Sequence, residues 1–262
     1  SSKVDIINNS FGFTGQITDY PKETFESNFP KFINSLEENK ETIFVWSAGN
    51  YNGITDTNGD KVDAADPGWL AGLSYYFPEL ADNNIAVVAV DREGTIADYS
   101  NRCGVVKDAC IAAPGSKINV AIPNNLYSSL TERERNGLNE DVLEYLKNQP
   151  SEAYLLASGT SFAAPHVTGA LAVLKGAFKD NLSSKEIVDR LYKTANKEGK
   201  YADENIYGQG LLDLGAAVSP VGFLSAYSNN ISSNNSFSIK NSYLRTGMSF
   251  GDSFKISLKN DN

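Results

Sequence analysis

Short apolar runs recur along the chain and predict β-strands. They lie at residues 4–9, 43–46, 85–90 and, more weakly, 120–122. The runs at 43–46 and 85–90 are almost continuously apolar, which is typical of strands buried on both faces of a parallel sheet. The run at 4–9 alternates apolar and polar residues instead, a pattern that also predicts a strand.

Stretches with helical spacing lie between and after these runs. They predict helices at 22–39, 130–148, 161–178 and 184–194. Residues 161–178 are apolar almost all round, as in a central buried helix, whereas 130–148 has only an apolar stripe. The helix at 184–194 should be capped by Ser183 or Ser184, with Glu186 in its first turn. Strands that alternate with helices predict an α/β fold whose parallel sheet is covered by helices on both faces.

The composition of the chain changes after Gly222. Ser and Asn dominate residues 228–242, and a weak strand-like alternation follows at 243–258. Polar tracts of this kind are typical of linkers that leave a packed domain. We therefore expect one domain over residues 1–222, and a linker with the start of a C-terminal extension over 223–262.

The charged residues and the residue types that could bind a metal exclude several classes of function. The 262 residues include 32 acidic and 23 basic side chains, for a formal net charge of −9. This balance argues against a nucleic-acid partner, because phosphate binding needs clustered Lys and Arg. A single His excludes a two-His metal site and leaves one imidazole for all acid–base chemistry, while two Cys are too few for a zinc cluster.

The strongest chemical motif is Ser-Gly-Thr-Ser-Phe-Ala-Ala-Pro-His-Val-Thr-Gly at residues 158–169. It delivers Ser161 to the first turn of the predicted buried helix. Free amides and the helix dipole there would stabilise a negative charge that develops on a substrate oxygen. The plain alternative is that Ser161 merely caps the helix.

Two further segments run from strands into small residues. Val-Trp-Ser-Ala-Gly-Asn at 45–50 ends at Asn50, whose amide can donate to an oxyanion unless it simply serves a turn. Asn-Asn-Ser-Phe-Gly at 8–12 is the second such segment. Together with 158–169, these segments resemble the subtilase family of subtilisin-like serine proteases, from Val4 to about Gly222.

This resemblance implies a subtilisin-like three-layer fold and a serine-type endopeptidase that hydrolyses peptide bonds through an acyl-enzyme. It implies that Ser161 is the nucleophile and that Asn50 belongs to the oxyanion hole. It further implies that two backbone segments hold an extended polypeptide substrate between them: Ser10, Phe11 and Gly12 on one side, and Ser47, Ala48 and Gly49 on the other.

The sequence departs from the family pattern in its acid–base residues. The family's catalytic Asp and His precede the strand that aligns with residues 4–9, and no such motifs occur here. His166 follows Ser161 by five residues, which places it about 140° away around a helix. From that position His166 cannot reach the Ser161 hydroxyl, and the resemblance implies that this His is structural. It also implies that N-terminal strands carrying the Asp and His lie on a missing segment, in the same precursor or a second chain. The chain alone should then be inactive.

The Cys pair, a long insertion at about 117–157 and the stretch 244–254 most resemble bacterial autotransporter serine proteases. Cys103 and Cys110 lie in an apparently irregular loop, 99–116, and could be two buried thiols. In an exported protease they would form a disulfide, which implies an oxidising compartment and a secreted or cell-surface location.

Two alternatives concern ligands and activity. Residues 56–63 in the polar loop 51–68 hint at calcium, but an EF-hand needs Gly and Glu where this chain has Lys61 and Pro67. We favour a solvated loop and expect no metal or cofactor. The rival to the peptidase is a degenerate subtilase that binds extended peptides, by adding them to its sheet, without cleaving them.

Overall fold

The computed structural model describes residues 4–123, 126–148, 153–178 and 181–219, and the backbone of three short strands beyond them. Contacts divide the chain into two compact units, residues 1–212 and 213–262. No helix in the described part of the chain combines the length and apolar character that a membrane span requires.

The first unit is built on a four-stranded parallel sheet. Its strands, in spatial as in chain order, are β1 (Ile6–Asn9), β2 (Ile43–Ser47), β3 (Asn84–Val90) and β4 (Cys110–Pro114). The register pairs Asn9 with Trp46 and Ser47 with Val87. Every residue of β2 and β3 is buried, which confirms the strands predicted from the continuous apolar runs.

Strand β4 corrects the sequence-based expectation of an irregular loop over 99–116. Its first four residues are buried, and its two alanines, Ala112 and Ala113, are fully buried. Because β4 is buried on both sides and only five residues long, it has no polar–apolar alternation to signal a strand. Strand β4 forms because its backbone pairs with β3 along Ala86–Val90.

The weakly predicted strand at 120–122 exists but does not join this sheet. It lies in β5 (Ile118–Ile122), which pairs antiparallel with β6 (Ala153–Ala157) as a separate two-stranded ribbon. Side chains of β5 alternate between half-buried and exposed, as expected for a ribbon covered on one side. Strand β6 leads directly into the Ser161 segment.

Helices cover both faces of the main sheet. Helix α6 (Thr160–Phe178) contacts all four strands on one face. The opposite face packs against α1 (Lys22–Asn28) and α2 (Pro30–Glu38), in a core that joins Ile33 and Leu36 to Trp46 and Val88. The predicted α/β class, with a parallel sheet covered on both faces, is confirmed.

Two stretches predicted as single helices are interrupted. Residues 22–39 break at Phe29, since the proline that follows disfavours helical geometry in the residue before it. The amphipathic stretch 130–148 forms α4 (Glu132–Asn136) and α5 (Glu140–Lys147), separated at Gly137, after a short α3 (Leu126–Ser129).

Helix α7 (Ser184–Thr194) begins at the predicted cap. The Ser183 hydroxyl accepts from the Glu186 N–H, and the Glu186 carboxylate accepts from the Ser183 N–H at 2.7 Å. A short α8 (Glu204–Tyr207) follows it. Within the described residues, short 3-10 helices lie at Ile17–Asp19, Leu73–Tyr75, Pro78–Leu80, Gly104–Ala109 and Gly199–Ala202.

The second unit begins with α9 (Leu214–Val218), which Asp213 caps. Its strands β7 (Leu224–Tyr227), β8 (Phe237–Ile239) and β9 (Lys255–Ser257) form an antiparallel sheet in the order β8-β7-β9. Most of the predicted linker and all of the stretch 244–254 lie outside the described residues. The predicted domain boundary at Gly222 stays a prediction.

Candidate active site

Three segments meet where strands of the parallel sheet end. Ser10 follows β1, Ala48 follows β2, and Ser161 lies in the first turn of α6, which packs against both strands. Because parallel strands end at one edge of a sheet, this edge collects the loops that follow them. The three segments singled out in the sequence therefore come together although they are far apart in the chain.

The three segments line a cleft of about 210 Å³. Its lining consists of Phe11 to Gly15, Ser47 to Tyr51, Gly68, Leu70, Ala71, Thr160 and Ser161. None of these residues is charged, although the chain as a whole is strongly acidic. Of the residues predicted to hold substrate or carry the reaction, the lining lacks only Ser10.

Ser10 is not part of the cleft lining and joins β1 to the start of α6. Its hydroxyl donates to the Ser161 carbonyl at 2.7 Å, and the Ser161 hydroxyl donates to the Ser10 carbonyl at 3.2 Å. Asn8 donates to the Ser10 hydroxyl at 2.9 Å and accepts from Thr168 of α6, also at 2.9 Å. These contacts fix the position of the half-buried Ser161 side chain relative to the sheet edge.

The orientation of the Asn50 carboxamide follows from its contacts with Thr160. Both the backbone N–H and the hydroxyl of Thr160 donate to Asn50 Oδ1, at 2.8 and 2.9 Å. A backbone N–H can face only an acceptor, so the oxygen must point toward Thr160. The amide NH₂ of Asn50 is then directed toward Gly159, where an added Cβ would lie 3.2 Å from Nδ2. Within the described residues this NH₂ has no hydrogen-bond acceptor, and Asn50 lines the same cleft as Ser161.

Sequence inspection missed Thr160, although it lies inside the strongest motif. Its hydroxyl also accepts from the Gly49 N–H at 3.1 Å, so one buried side chain joins the α6 start to the Asn50 segment. Nothing in the sequence marks this threonine beyond its place before Ser161. Its role depends on a partner segment more than a hundred residues away.

His166 does not reach Ser161. Its side chain is exposed on α6, with Nδ1 at 2.8 Å from the Phe162 carbonyl one turn earlier. His166 is the only His in the sequence. Within the described residues, the Ser161 hydroxyl meets a backbone carbonyl and no side chain that could accept its proton as a base.

A second cavity, of about 310 Å³, lies beside the Ser158 end of the same motif and was not predicted. Its wall includes Tyr99, whose hydroxyl donates to the Gly115 carbonyl at 2.8 Å. Burial raises the pKa of that hydroxyl. The cavity escapes sequence inspection because three separate loops form it.

Cys103 and Cys110 form the predicted disulfide, with Cα atoms 5.7 Å apart. Both residues are fully buried. The bridge closes the 3-10 turn Gly104–Ala109 and joins it to the first residue of β4.

In the polar loop 51–68, the Asp56 carboxylate accepts hydrogen bonds from the loop's own backbone. Asp56 accepts from the N–H groups of Asn58 and Asp60, both at 2.9 Å, and these backbone hydrogen bonds lower its pKa. Within the described ranges, no group of three or more His, Cys, Asp or Glu is placed to hold a metal ion. Calcium binding by this loop stays untested.

Comparison with known proteins gives a family match over most of the chain. Residues 1–210 match the model of the subtilase family. The chain is 37% identical over 198 residues to serotype-specific antigen 1 of Mannheimia haemolytica, covering 74% of this chain and 19% of that protein. It is 31% identical over 179 residues to an extracellular serine protease of Serratia marcescens, covering 67% and 15%.

Two further similarities are more distant. The neisserial autotransporter lipoprotein NalP of Neisseria meningitidis is 26% identical over 195 residues, covering 69% of this chain and 14% of that protein. The solved structure of the prenylagaramide maturation protease PagA gives a TM-score of 0.49 at 22% identity, covering 82% of this chain and 61% of that one. The chain spans less than a fifth of the length of the three sequence relatives.

Proposed function

Because this chain belongs to the subtilase family, we propose that it forms the nucleophile-bearing part of a serine endopeptidase of the subtilisin type. One observation carries the proposal: Ser161, Asn50 and the two segments that begin at Phe11 and at Ser47 line one uncharged cleft. A nucleophile beside an oxyanion donor, at a helix N-terminus, is the arrangement that acyl transfer requires. A polypeptide is the proposed substrate.

In this mechanism the substrate lies extended in the cleft between residues 11–12 and 47–49, and Ser10 anchors the first of these segments to the start of α6. The Ser161 hydroxyl attacks the scissile carbonyl carbon while a base takes its proton, and Asn50 Nδ2 with the Ser161 N–H receives the oxyanion. Collapse of this intermediate breaks the C–N bond, as the base returns the proton to the leaving amine. Water then hydrolyses the Ser161 ester by the same sequence of proton transfers.

The base and its orienting acid are proposed to lie outside these 262 residues. The single His of the chain is used at an exposed position on α6, away from the Ser161 hydroxyl. A His and an Asp would therefore arrive on another segment, in the same precursor or on a second chain, beside Ser161. The outer side of β1, the edge strand of the described sheet, is a suitable place for that segment to pair.

The disulfide supports a location outside the reducing cytosol, since such bridges persist in oxidising compartments. The relatives from Serratia and Neisseria are described as extracellular and as an autotransporter lipoprotein. We therefore propose secretion or display on a bacterial cell surface.

The test uses the protein expressed from its complete reading frame. A fluorophosphonate probe should label Ser161, located by peptide mass spectrometry, and the protein should cleave casein. Ser161→Ala should lose both properties. Ser158→Ala is the matched control, because it removes a hydroxyl that accepts from the Lys117 N–H, and it should keep both. The 262-residue chain alone should not label.

The rival function, peptide binding without cleavage, has one observation in its favour. The Ser161 hydroxyl donates to the Ser10 carbonyl and has no base beside it in the described residues. If this rival is right, the full-length protein does not react with the probe, yet it binds extended peptides, and Ser161→Ala binds them equally well. Labelling at Ser161 together with peptide cleavage excludes it.

A further inference from the structure

Asn101 is a fully buried residue in the loop that follows β3, and it contacts both residues that flank Asn50. Its backbone N–H donates to the Gly49 carbonyl at 2.9 Å. Its side-chain oxygen accepts from the Tyr51 N–H at 2.8 Å. The segment that carries Asn50 is thus fastened on both sides to one residue.

The other end of the Asn101 carboxamide reaches the loop that contributes Gly68 to the cleft. Its Nδ2 donates to the Asp66 carbonyl at 2.9 Å. Two residues further on, the Gly68 N–H donates to the Ala48 carbonyl at 2.7 Å, and Gly68 lines the cleft. One buried carboxamide therefore connects the Asn50 segment to the loop beneath it.

Gly49 packs directly on this carboxamide. Its φ of +115° lies in the region that favours glycine, and an added Cβ would stand 3.0 Å from Asn101 Cγ. A side chain at position 49 would push Asn101 away. The close approach shows that Gly49 and Asn101 are fitted to each other, beyond the hydrogen bond that joins them.

Asn101 is itself held from the opposite side. The neighbouring Ser100 hydroxyl accepts from the Ala89 N–H of β3 at 3.0 Å and donates to the Asn101 carbonyl at 2.8 Å. Cys103 of the disulfide follows two residues later. Ser100 thus anchors the Asn101 backbone to β3, and the carboxamide extends from there toward the loop that carries Asn50.

We propose that Asn101 is a positioning residue that holds the Asn50 amide at the distance and angle at which it meets the oxyanion. The inference rests on the proposed peptidase function, in which Asn50 is the oxyanion donor. Removing the Asn101 side chain leaves the Tyr51 N–H and the Asp66 carbonyl without their partners. The Asn50 segment is then free to shift, and a displacement of about 1 Å can cost about 10²-fold in rate.

The experiment is a double-mutant cycle in the protein expressed from its complete reading frame. Wild type, Asn101→Ala, Asn50→Ala and the double variant are assayed on a fluorogenic peptide built on a bond that wild type cleaves in casein. We expect Asn101→Ala to lower kcat by about 10- to 100-fold with little change in KM. The same substitution should have almost no further effect once Asn50 is Ala, because it acts through Asn50.

Asn83→Ala is the matched control for folding. Asn83 is also a buried Asn, 3% exposed, and its amide donates to the carbonyls of Asn39 and Thr42, away from the cleft. This control should lose thermal stability to a similar extent and keep wild-type kcat. Far-UV circular dichroism confirms that each assayed variant is folded.

Three results would overturn the inference. The first is an Asn101→Ala loss that persists undiminished in the Asn50→Ala background, and the second is a loss confined to KM. The third is an Asn101→Ala variant that does not fold while Asn83→Ala does, which would make Asn101 a structural residue only. Failure of the peptidase proposal itself is seen separately, as a wild-type protein that neither labels at Ser161 nor cleaves casein.

Discussion

At the scale of single residues, the two ends of the Asn50 carboxamide have different tasks. The oxygen is occupied by Thr160, which accounts for the orientation of the group, and the NH₂ is left on the side of Gly159. A residue that has only hydrogen-bond acceptors at position 50 would still accept from Thr160, but it could not donate to a ligand oxygen. This separation allows the donor role to be tested without disturbing the anchor.

We predict that Asn50→Ala lowers kcat by about 10²–10³-fold, the cost known for removing an oxyanion-hole donor in subtilisin. Asn50→Asp keeps an acceptor for Thr160 but replaces the donor by an oxygen, so it should lose at least as much. Steady-state kinetics of peptide cleavage measure both. Wild-type kcat in Asn50→Asp would show that the amide donates to nothing in the transition state.

At the scale of elements, local capping determines where α7 begins. Ser183 and Glu186 satisfy each other's backbone N–H groups, an arrangement visible in the sequence as Ser-x-x-Glu. The hydrogen bonds from the Ser183 N–H and then its hydroxyl lower the pKa of the Glu186 carboxyl. The carboxylate therefore stabilises the fold above its unfolded-state pKa, and this contribution disappears as the pH falls through the lowered folded-state value.

We predict that Ser183→Ala lowers the free energy of unfolding by about 1 kcal/mol, because an N-cap hydroxyl is lost. Ser129→Ala, at the end of α3, removes a hydroxyl that donates to a helix carbonyl, and it should cost much less. Urea unfolding at neutral pH compares the two variants. Repeated at acid pH, where Glu186 is protonated, the difference between Ser183→Ala and wild type should shrink; a constant difference contradicts the linkage.

At the scale of the whole molecule, the disulfide acts on the unfolded chain as much as on the fold. It joins residues only seven apart, so the ring it closes is small, and its stabilising effect is correspondingly modest. In the folded protein it fixes the loop between β3 and β4, the same loop that carries Asn101. We therefore expect loss of the disulfide to lower the free energy of unfolding of the whole domain.

We predict that the double variant Cys103→Ala with Cys110→Ala lowers the free energy of unfolding by about 2.5 kcal/mol, from the loop-closure entropy of the unfolded chain. Denaturant titration of oxidised wild type, reduced wild type and the variant provides the measurement. The last two should unfold together, below oxidised wild type. Coincident unfolding of all three would mean that the bridge contributes no net stability.

The sequence by itself determined the features that depend on neighbouring residues. Three features can be recognised within a dozen residues of sequence: the apolar runs of β2 and β3, the cap of α7 and the Ser161 motif. They are recognisable because burial periodicity and capping depend on residues that are close in the chain. The family pattern added the pairing of Cys103 with Cys110 and the grouping of Asn50 with Ser161. Both groups of features could be predicted without a structure.

Only the tertiary structure decided the rest. Strand β4 and the separate ribbon β5–β6 exist because of the strands with which they pair. A short run that is uniformly apolar, or one with a weak hydrophobic pattern, does not specify its partner strand. The contacts of Thr160 with Asn50 and of Asn101 with Tyr51 join residues about 110 and 50 positions apart. A hydrogen bond between such distant groups leaves no periodic trace in the chain, because its geometry exists only once the sheet has brought the two loops to the same edge.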